Sequence, residues 1–375
     1  MGKSMCSKYG SVVRATAALF SLAAGVVIWG PGQALADSVS PSSFEATLGV
    51  GASTTINKTV TVSAGTPTSS LVDVFFLSDT TGSMGSSIAN VKAAASSILT
   101  ATAGLGDVRF GVGEYKDPAV DAFGYRLDSD ISAGATAAAN QAATIAGINA
   151  LIASGGGDTP EGNLLGLQQA ADTTSWRAGS TRILVWFGDA PGHDPSGGAT
   201  EASAIAALNA NHVKVEGISL TTGPGLDAAC GGGDCTAGQG TRIATATGGA
   251  LVSGINTSGV VAAINAAITT AITTYSNVCL SPSGNVGVGV ATSACISGAF
   301  DRSIDRTFNF TVTFTGVTPG DHSFVINATV DGGTIASEDD LIHVRGGSAV
   351  PEPASLLLLG TGLAGLSAWR LRRKA

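Results

Sequence analysis

Three polar side chains at alternating positions, Asp79, Thr81 and Ser83, could bind a metal ion. One carboxylate and two hydroxyls are hard oxygen donors, which suit Mg²⁺ and not zinc or copper. They follow an apolar run at 72–77, which is typical of a strand buried on both faces. A helical pattern starts at Ser86, with Ile88, Val91, Ala95 and Ile98 on one face. The three side chains are therefore predicted on a turn at the carboxyl end of a strand, where open α/β sheets bind ligands.

The same turn also has a simpler interpretation as a helix cap. The hydroxyl of Ser83 or Ser86 can accept hydrogen bonds from the first free amide groups of a helix. A cap needs no other loop, whereas a cation site needs oxygen donors from elsewhere in the chain.

Two further loops carry acidic side chains. Residues 155–162 read Gly-Gly-Gly-Asp-Thr-Pro-Glu-Gly and precede a helical pattern. Residues 188–194 follow a strand that ends at Phe187, and they contain Asp189 and His193. Both loops are expected at the same sheet edge as Asp79.

Strand and helix patterns alternate between residues 71 and 278. The strands are predicted at 108–115, 182–187 and 212–220, with a short helix and a strand in 243–254. The helices are predicted at 133–153, 161–171, 201–211 and 259–275. This order predicts an α/β fold, with a mostly parallel sheet and helices on both faces.

The Asp-x-Thr-x-Ser pattern, with the two acidic loops, resembles the metal-ion-dependent adhesion site of von Willebrand factor type A domains. The resemblance implies a Rossmann-like domain over 71–278 that binds Mg²⁺, with Mn²⁺ or Ca²⁺ as alternatives. The Asp-Thr-Pro-Glu sequence is similar to the integrin β version of the site. That similarity implies Glu161 as the direct ligand, Thr159 as a fallback, and Asp189 as a ligand that binds directly or through water.

A second cation site is also implied by this resemblance. The segment 110–118 is similar to the integrin β segment that feeds a neighbouring site, so three carboxylates are candidates: Asp117, Asp158 and Glu161. Gly156 replaces the asparagine that this site usually uses. Serines stand at 86 and 87 in place of two acidic residues, so no third cation is expected.

The first 36 residues resemble a secretory signal. They have a basic start, an apolar run at 17–29 and small residues at 34–36, which favours export and removal over a retained anchor.

Residues 348–375 contain Pro351-Glu352-Pro353, a short apolar stretch at 354–369 and a basic cluster at 370–374. This arrangement closely resembles the PEP-CTERM sorting signal of Gram-negative bacteria. It implies transient anchoring in the inner membrane through the apolar helix, followed by removal by an exosortase-type peptidase. An ordinary C-terminal anchor is the alternative.

The chain without these two segments is strongly acidic. The full sequence has 19 basic and 27 acidic residues, and the two segments hold seven basic residues and one acidic residue. The remainder has 12 basic and 26 acidic residues, a formal charge of −14. Such a charge argues against nucleic-acid binding and fits a cation-binding protein outside the cell.

Four cysteines remain after removal of the signal, and an even number favours disulfides in an oxidising compartment. Three pairings are open, and proximity favours Cys230 with Cys235 and Cys279 with Cys295. A zinc site is less favoured, because no second cysteine pair with metal-ligand spacing accompanies Cys230 and Cys235.

The flanks of the α/β domain read as β structure. Strand patterns occur at 43–48 and 55–62 in the N-terminal segment 37–70, and at 285–291, 307–315, 323–330 and 341–344 in segment 279–347. The N-terminal strands are too few to fold alone. Both flanks are therefore expected to build one immunoglobulin-like sandwich into which the α/β domain is inserted. A separate N-terminal hairpin beside a small sandwich is the alternative.

These features predict an exported, cation-dependent binding or adhesion protein of the cell surface or extracellular matrix, which coordinates an acidic group of a protein or matrix ligand. A structural matrix protein, in which the cation only stabilises the loop, is the alternative. An enzyme is not expected, because the sequence has no His-Glu-x-x-His, no Gly-x-Ser-x-Gly and no Cys–His pair in a catalytic context. His193 is expected to shape Asp189.

The mature protein should lack both terminal segments. The intact mass of the protein from the producing cell should correspond to a chain that starts near residue 37 and ends before the apolar stretch at 354–369. Peptides from that stretch in the secreted form would contradict the predicted processing.

Overall fold

The computed structural model describes residues 36–65, 71–102, 106–230, 234–284 and 287–346. The predicted N-terminal signal, except for its last residue, lies outside these ranges. The predicted C-terminal sorting segment and its apolar membrane stretch lie outside them as well. Among the helices that the structure describes, none is long and apolar enough to cross a membrane.

The described chain starts with three strands, β1 (Ser38–Ser40), β2 (Ser43–Gly49) and β3 (Ser53–Val62). A six-stranded sheet follows, in the order β6-β5-β4-β7-β8-β9. Its strands are β4 (Leu71–Asp79), β5 (Asp107–Tyr115), β6 (Tyr125–Ser129), β7 (Thr181–Gly188), β8 (Val213–Leu220) and β9 (Leu251–Ile255). Every pairing in it is parallel except that of the edge strand β6 with β5. The predicted α/β fold with a mostly parallel sheet is therefore confirmed.

Within the described residues, six helices cover this sheet: α1 (Gly85–Thr102), α2 (Ala137–Ala150), α3 (Asn163–Thr173), α4 (Glu201–Ala210), α5 (Gln239–Ala246) and α6 (Val260–Thr273). Alternate residues of β4 enter two different cores. Val74 and Phe76 pack in the core formed by α1, α2 and α6. Phe75 and Leu77 pack in the core formed by α3, α4 and α5. Burial on both faces explains why β4 reads as an unbroken apolar run.

The predicted apolar face of α1 is confirmed. Ile88, Val91, Ala95 and Ile98 are all buried. The i, i+3, i+7 and i+10 spacing of these residues places them on one side of a helix, and this side packs on the sheet.

The described part of the chain ends in six more strands: β10 (Thr274–Pro282), β11 (Val288–Thr292), β12 (Ile296–Asp301), β13 (Arg306–Gly316), β14 (Gly320–Val330) and β15 (Gly333–Arg345). They form two sheets with the N-terminal strands, in the orders β1-β3-β13-β11 and β12-β10-β14-β15-β2. The two sheets enclose one core that includes Val60, Phe310 and Ile326. We call this unit the β module. The six-stranded sheet and its helices are inserted between β3 and β10 of this module.

A buried ion cluster joins the two sheets of the β module. The Lys58 ammonium on β3 contacts the carboxylates of Glu338 and Asp340 on β15, and all three side chains are fully buried. A buried charge is tolerated only when it is paired, so this cluster couples an N-terminal strand to a C-terminal one.

The predicted boundaries differ from the structure around residue 275. The last helix was predicted to run to Tyr275, but α6 ends at Thr273 and β10 starts at once. Asp331 accepts hydrogen bonds from the amides of Ser276 and Asn277, and it also pairs with Lys214 of β8 at 3.0 Å. This partner, distant in sequence, holds the start of β10 and ties the β module to the six-stranded sheet.

Both predicted disulfides are present, Cys230–Cys235 and Cys279–Cys295. The second links β10 to the segment just before β12. Strands β1, β6, β10 and β12 are missing from the sequence prediction, because each is short or only partly buried and so lacks a clear alternating pattern.

Replacing Glu216 by Gln should change how stability depends on pH. Burial raises the pKa of Glu216 to about 7, although the Lys214 charge and the Ala250 amide oppose the shift. The folded state therefore binds the proton more tightly than the unfolded state, and the parent loses stability as pH rises from about 4.5 to 7. We expect the melting temperature of Glu216→Gln, relative to the parent, to be higher at pH 8 than at pH 4. A difference that stays constant over this range would contradict the expectation.

Candidate functional site

Asp79 lies at the carboxyl end of β4, and its side chain is fully buried. Its Oδ1 accepts hydrogen bonds from the amide and the hydroxyl of Thr81, both at 2.8 Å. Its Oδ2 is buried without a hydrogen-bond partner. Buried carboxylate oxygens are rarely left unpaired in proteins, so this atom points to a missing ligand.

The helix-cap interpretation of this turn does not match its hydrogen bonds. Thr81, at the start of the 3₁₀ turn Gly82–Met84, makes no side-chain cap hydrogen bond. The Ser83 hydroxyl donates to Oδ1 of Asp189 at 3.0 Å, and so it connects the first loop to the third.

The second loop is held against the first by backbone hydrogen bonds. The Gly82 amide donates to the Gly155 carbonyl at 3.1 Å, and the Ser154 amide donates to the Thr80 carbonyl at 3.0 Å. The buried Lys116 ammonium also donates to the carbonyls of Thr80 and Ser154. These bonds place the loop from 154 to 161 directly beside Asp79.

Gly156 permits this close approach. Its φ is +71°, and a Cβ there would lie 2.9 Å from the Cβ of Thr81 and 2.9 Å from Oε1 of Glu161. Its amide donates to Oδ2 of Asp121 at 2.9 Å. Only glycine is compatible with this backbone conformation and this spacing.

Glu161 is the buried acidic residue of the second loop, and its Oε2 has no hydrogen-bond partner. Its amide donates to the Pro191 carbonyl, and its carbonyl accepts from the His193 amide, both at 2.9 Å. The second and third loops are therefore joined at Glu161. Thr159, the fallback ligand, is exposed.

Asp189 follows β7, and both of its carboxylate oxygens have partners. Oδ1 accepts from Ser83, and Oδ2 accepts from the Thr222 hydroxyl at 2.6 Å. Thr222 and Gly223 belong to a fourth loop, after β8, that the sequence interpretation missed. The Thr-Thr-Gly sequence at the end of a buried strand was a signal that could have found it.

The carboxylates of the site repel one another and are poorly hydrated. Burial raises the pKa of Asp79 to about 7, and the Asp189 charge adds to the shift while the Thr81 amide opposes it. Burial and the Asp79 charge raise the pKa of Glu161 to about 8. A bound divalent cation would remove this cost by stabilising both ionised carboxylates.

The donors of the site fit an oxygen-liganded cation. Asp79 and Glu161 each present a buried oxygen that has no hydrogen-bond partner. Thr81 and Ser83 lie on the same loop as Asp79, and the Ser83 hydroxyl connects this loop to Asp189. Carboxylates and hydroxyls of this kind suit Mg²⁺ or Mn²⁺.

The structure places Asp117 and Asp158, the other predicted ligands, beside His193. Ligand atoms of these three residues lie within 4.8 Å of one another, and this group does not include Glu161. The imidazole of His193 faces Asp117 and Asp158, whereas Asp189 bonds to Ser83 and Thr222. The charged partners of His193 in the structure are therefore Asp117 and Asp158, and the predicted role of His193 in shaping Asp189 stays a prediction.

The site lies in a segment with a recognised family. Residues 73–224 match the von Willebrand factor A domain, and residues 349–374 match the PEP-CTERM protein-sorting motif. The chain therefore contains a segment of the von Willebrand factor A domain family and a PEP-CTERM sorting motif, and this motif indicates export and exosortase processing. No curated protein matches the chain.

Several solved structures match this chain at low sequence identity. A von Willebrand factor type A protein from Catenulispora acidiphila is 16% identical with a TM-score of 0.43, over 83% of this chain and 72% of that one. Proximal thread matrix protein 1 of the mussel byssus is 14% identical with a TM-score of 0.41, over 58% and 51%. The pilus adhesin SpaC from Lactobacillus rhamnosus GG is 14% identical with a TM-score of 0.41, over 76% and 46%. The chain spans about half the length of the last two.

Replacing Gly223 by Ala should disturb the position of Asp189. A Cβ at Gly223 would lie 2.5 Å from the carbonyl oxygen of Asp189 and 3.0 Å from its Cγ. We expect a loss of about 1–3 kcal/mol in the free energy of unfolding, measured by chemical denaturation. The matched control is Gly284→Ala, where a Cβ would have no heavy atom within 4 Å. Equal stability of the two variants would show that the fourth loop does not pack tightly on Asp189.

Proposed function

We propose that this protein binds its ligands through a divalent cation held by the first, second and third loops, which we call the adhesion loops. Asp79, Thr81 and Ser83 contribute from the first loop, Glu161 from the second and Asp189 from the third. The observation that carries the proposal is the pair of buried, unpartnered carboxylate oxygens, Asp79 Oδ2 and Glu161 Oε2, at one edge of the sheet. Mg²⁺ is the proposed ion, with Mn²⁺ or Ca²⁺ as alternatives.

The bound cation would supply an attachment point for an acidic group of the ligand. Asp79 and Glu161 would provide the charge that holds the ion. The Thr81 hydroxyl donates to the Asp79 carboxylate, and the Ser83 hydroxyl connects the first loop to Asp189. A site of this kind needs no proton transfer or nucleophile, so we propose a binding role and no catalytic one.

The sorting motif and the charge of the chain support a location outside the cell. We propose that the protein is exported, held briefly in the inner membrane through its C-terminal segment, and processed by an exosortase-type peptidase. Its acidic mature surface would then act at the cell surface or in the extracellular matrix of a Gram-negative bacterium, on a protein or matrix ligand.

A structural matrix protein is the second candidate, and one observation favours it. The three loops are already joined by hydrogen bonds, such as Gly82 to Gly155, Glu161 to Pro191 and Ser83 to Asp189. A cation could then serve only to stabilise this arrangement. Retention on the producer's own extracellular matrix distinguishes the two roles, because only cation-mediated binding is lost on chelation and restored by Mg²⁺.

Replacing Asp79 by Ala should abolish cation binding at the adhesion loops while the protein stays folded. Asp79 is the only charged donor of the first loop, and neutral hydroxyls do not offset a divalent charge. The fold should survive because the apolar part of β4 lies before Asp79 and remains buried. Calorimetric titration with Mg²⁺ or Mn²⁺ measures the first effect, and thermal unfolding monitored by circular dichroism without metal measures the second.

The control for this variant is Asp339→Ala, which removes an exposed carboxylate on β15. It should bind the cation and the extracellular matrix as the parent does. Unchanged titration of Asp79→Ala would refute the site, and unfolding of this variant would show that Asp79 is structural.

A further inference from the structure

We propose that Asp117, Asp158 and His193 form a second, chemically different metal site that takes a first-row transition ion such as Zn²⁺. It shares no ligand with the cation site proposed above, so it stands independently of that proposal. Ligand atoms of the three residues lie within 4.8 Å of one another.

The separations between the imidazole and the two carboxylates suit an ion and are too long for direct hydrogen bonds. His193 Nε2 lies 3.7 Å from Asp117 Oδ2 and 3.8 Å from Asp158 Oδ2. A hydrogen bond between such groups would be about 2.7–3.2 Å long. Ligands at about 2.0–2.2 Å from a tetrahedral zinc ion are roughly 3.3 Å apart, so closure by about half an ångström would complete the site.

Asp117 supplies the observation that distinguishes this cluster from an ordinary group of surface charges. Its side chain is only 2% exposed, and its Oδ1 accepts a hydrogen bond from the Ala119 amide at 2.9 Å. Its Oδ2 is buried, has no hydrogen-bond partner and is the atom that faces His193. His193 Nε2 is likewise buried and unpartnered. Two unpaired ligand atoms that face each other across 3.7 Å could both be satisfied by one ion between them.

The backbone fixes the third ligand, His193, in place. The His193 amide donates to the Glu161 carbonyl, and the next amide, of Asp194, donates to the Asp234 carbonyl at 2.7 Å. The side chain of Asp158 is 54% exposed, so it can adjust to the ion from the solvent side. A cleft of about 230 Å³, lined in part by Asp117, His193 and Pro195, provides access and room for water ligands.

The donor set decides the type of ion. The adhesion loops offer oxygen atoms alone, whereas this cluster adds an imidazole nitrogen to two carboxylates. Imidazole favours zinc and its neighbours in the first transition row, and Mg²⁺ and Ca²⁺ prefer oxygen. An ion here would crosslink three segments: the one after β5, the second loop and the third loop. It would thereby stiffen the loops that carry Glu161 and Asp189.

The test is calorimetric titration of the untagged chain with Zn²⁺ in the presence of excess Mg²⁺, which competes for the oxygen-only site proposed above. The parent should bind one Zn²⁺. His193→Gln should raise the Kd for Zn²⁺ at least about tenfold, the scale on which lost metal contacts act. The matched control is His322→Gln, since His322 lies in the β module and contacts the Thr318 carbonyl. It should titrate as the parent does.

Two further measurements keep the result unambiguous. Asp79→Ala should keep the Zn²⁺ site, and Co²⁺ bound to the parent should give visible absorption bands that His193→Gln lacks. Absence of Zn²⁺ binding to the parent in Mg²⁺, or equal Kd values for the parent and His193→Gln, would overturn the proposal. Loss of all Zn²⁺ binding in Asp79→Ala alone would also overturn it, because the ion would then belong to the adhesion loops.

Discussion

Strand β4 is buried on both faces, and it ends in a carboxylate. Helices cover the two sides of the sheet, so the end of the strand remains as the place where a polar side chain can meet a ligand. Asp79 is nevertheless fully buried there, which raises its pKa and leaves Oδ2 without a partner. The surrounding loops are arranged around this unsatisfied charge.

The loops approach Asp79 closely because their small residues and their backbone bonds allow it. Gly156 fits against Thr81 where any side chain would clash, and Gly223 does the same against Asp189. Lys116 supplies the only ammonium among the described residues of this edge, but it is occupied with the carbonyls of Thr80 and Ser154. The Lys116 charge therefore stabilises the loops more than it neutralises the carboxylates. The negative charge of the site is left for a cation to balance.

The β module anchors this domain from the opposite edge of the sheet. Its two sheets share strands from both ends of the described chain, and Lys58 pairs with Glu338 and Asp340 across its interior. Asp331 bonds to the start of β10 and to Lys214 at the amino end of β8. The adhesion loops at the carboxyl ends of the strands are thus left free for a ligand.

The sequence by itself determined the elements whose patterns are local. The apolar run of β4, the buried face of α1 and the alternation of strands and helices follow from hydrophobic periodicity, and the short spacings of the cysteines favoured the pairings found. Tertiary structure decided what depends on partners distant in the chain. It brought Asp331 to the start of β10, Thr222 to Asp189, and His193 to Asp117 and Asp158. A loop side chain takes its direction from the backbone bonds of neighbouring loops, and no periodicity in the sequence records those bonds.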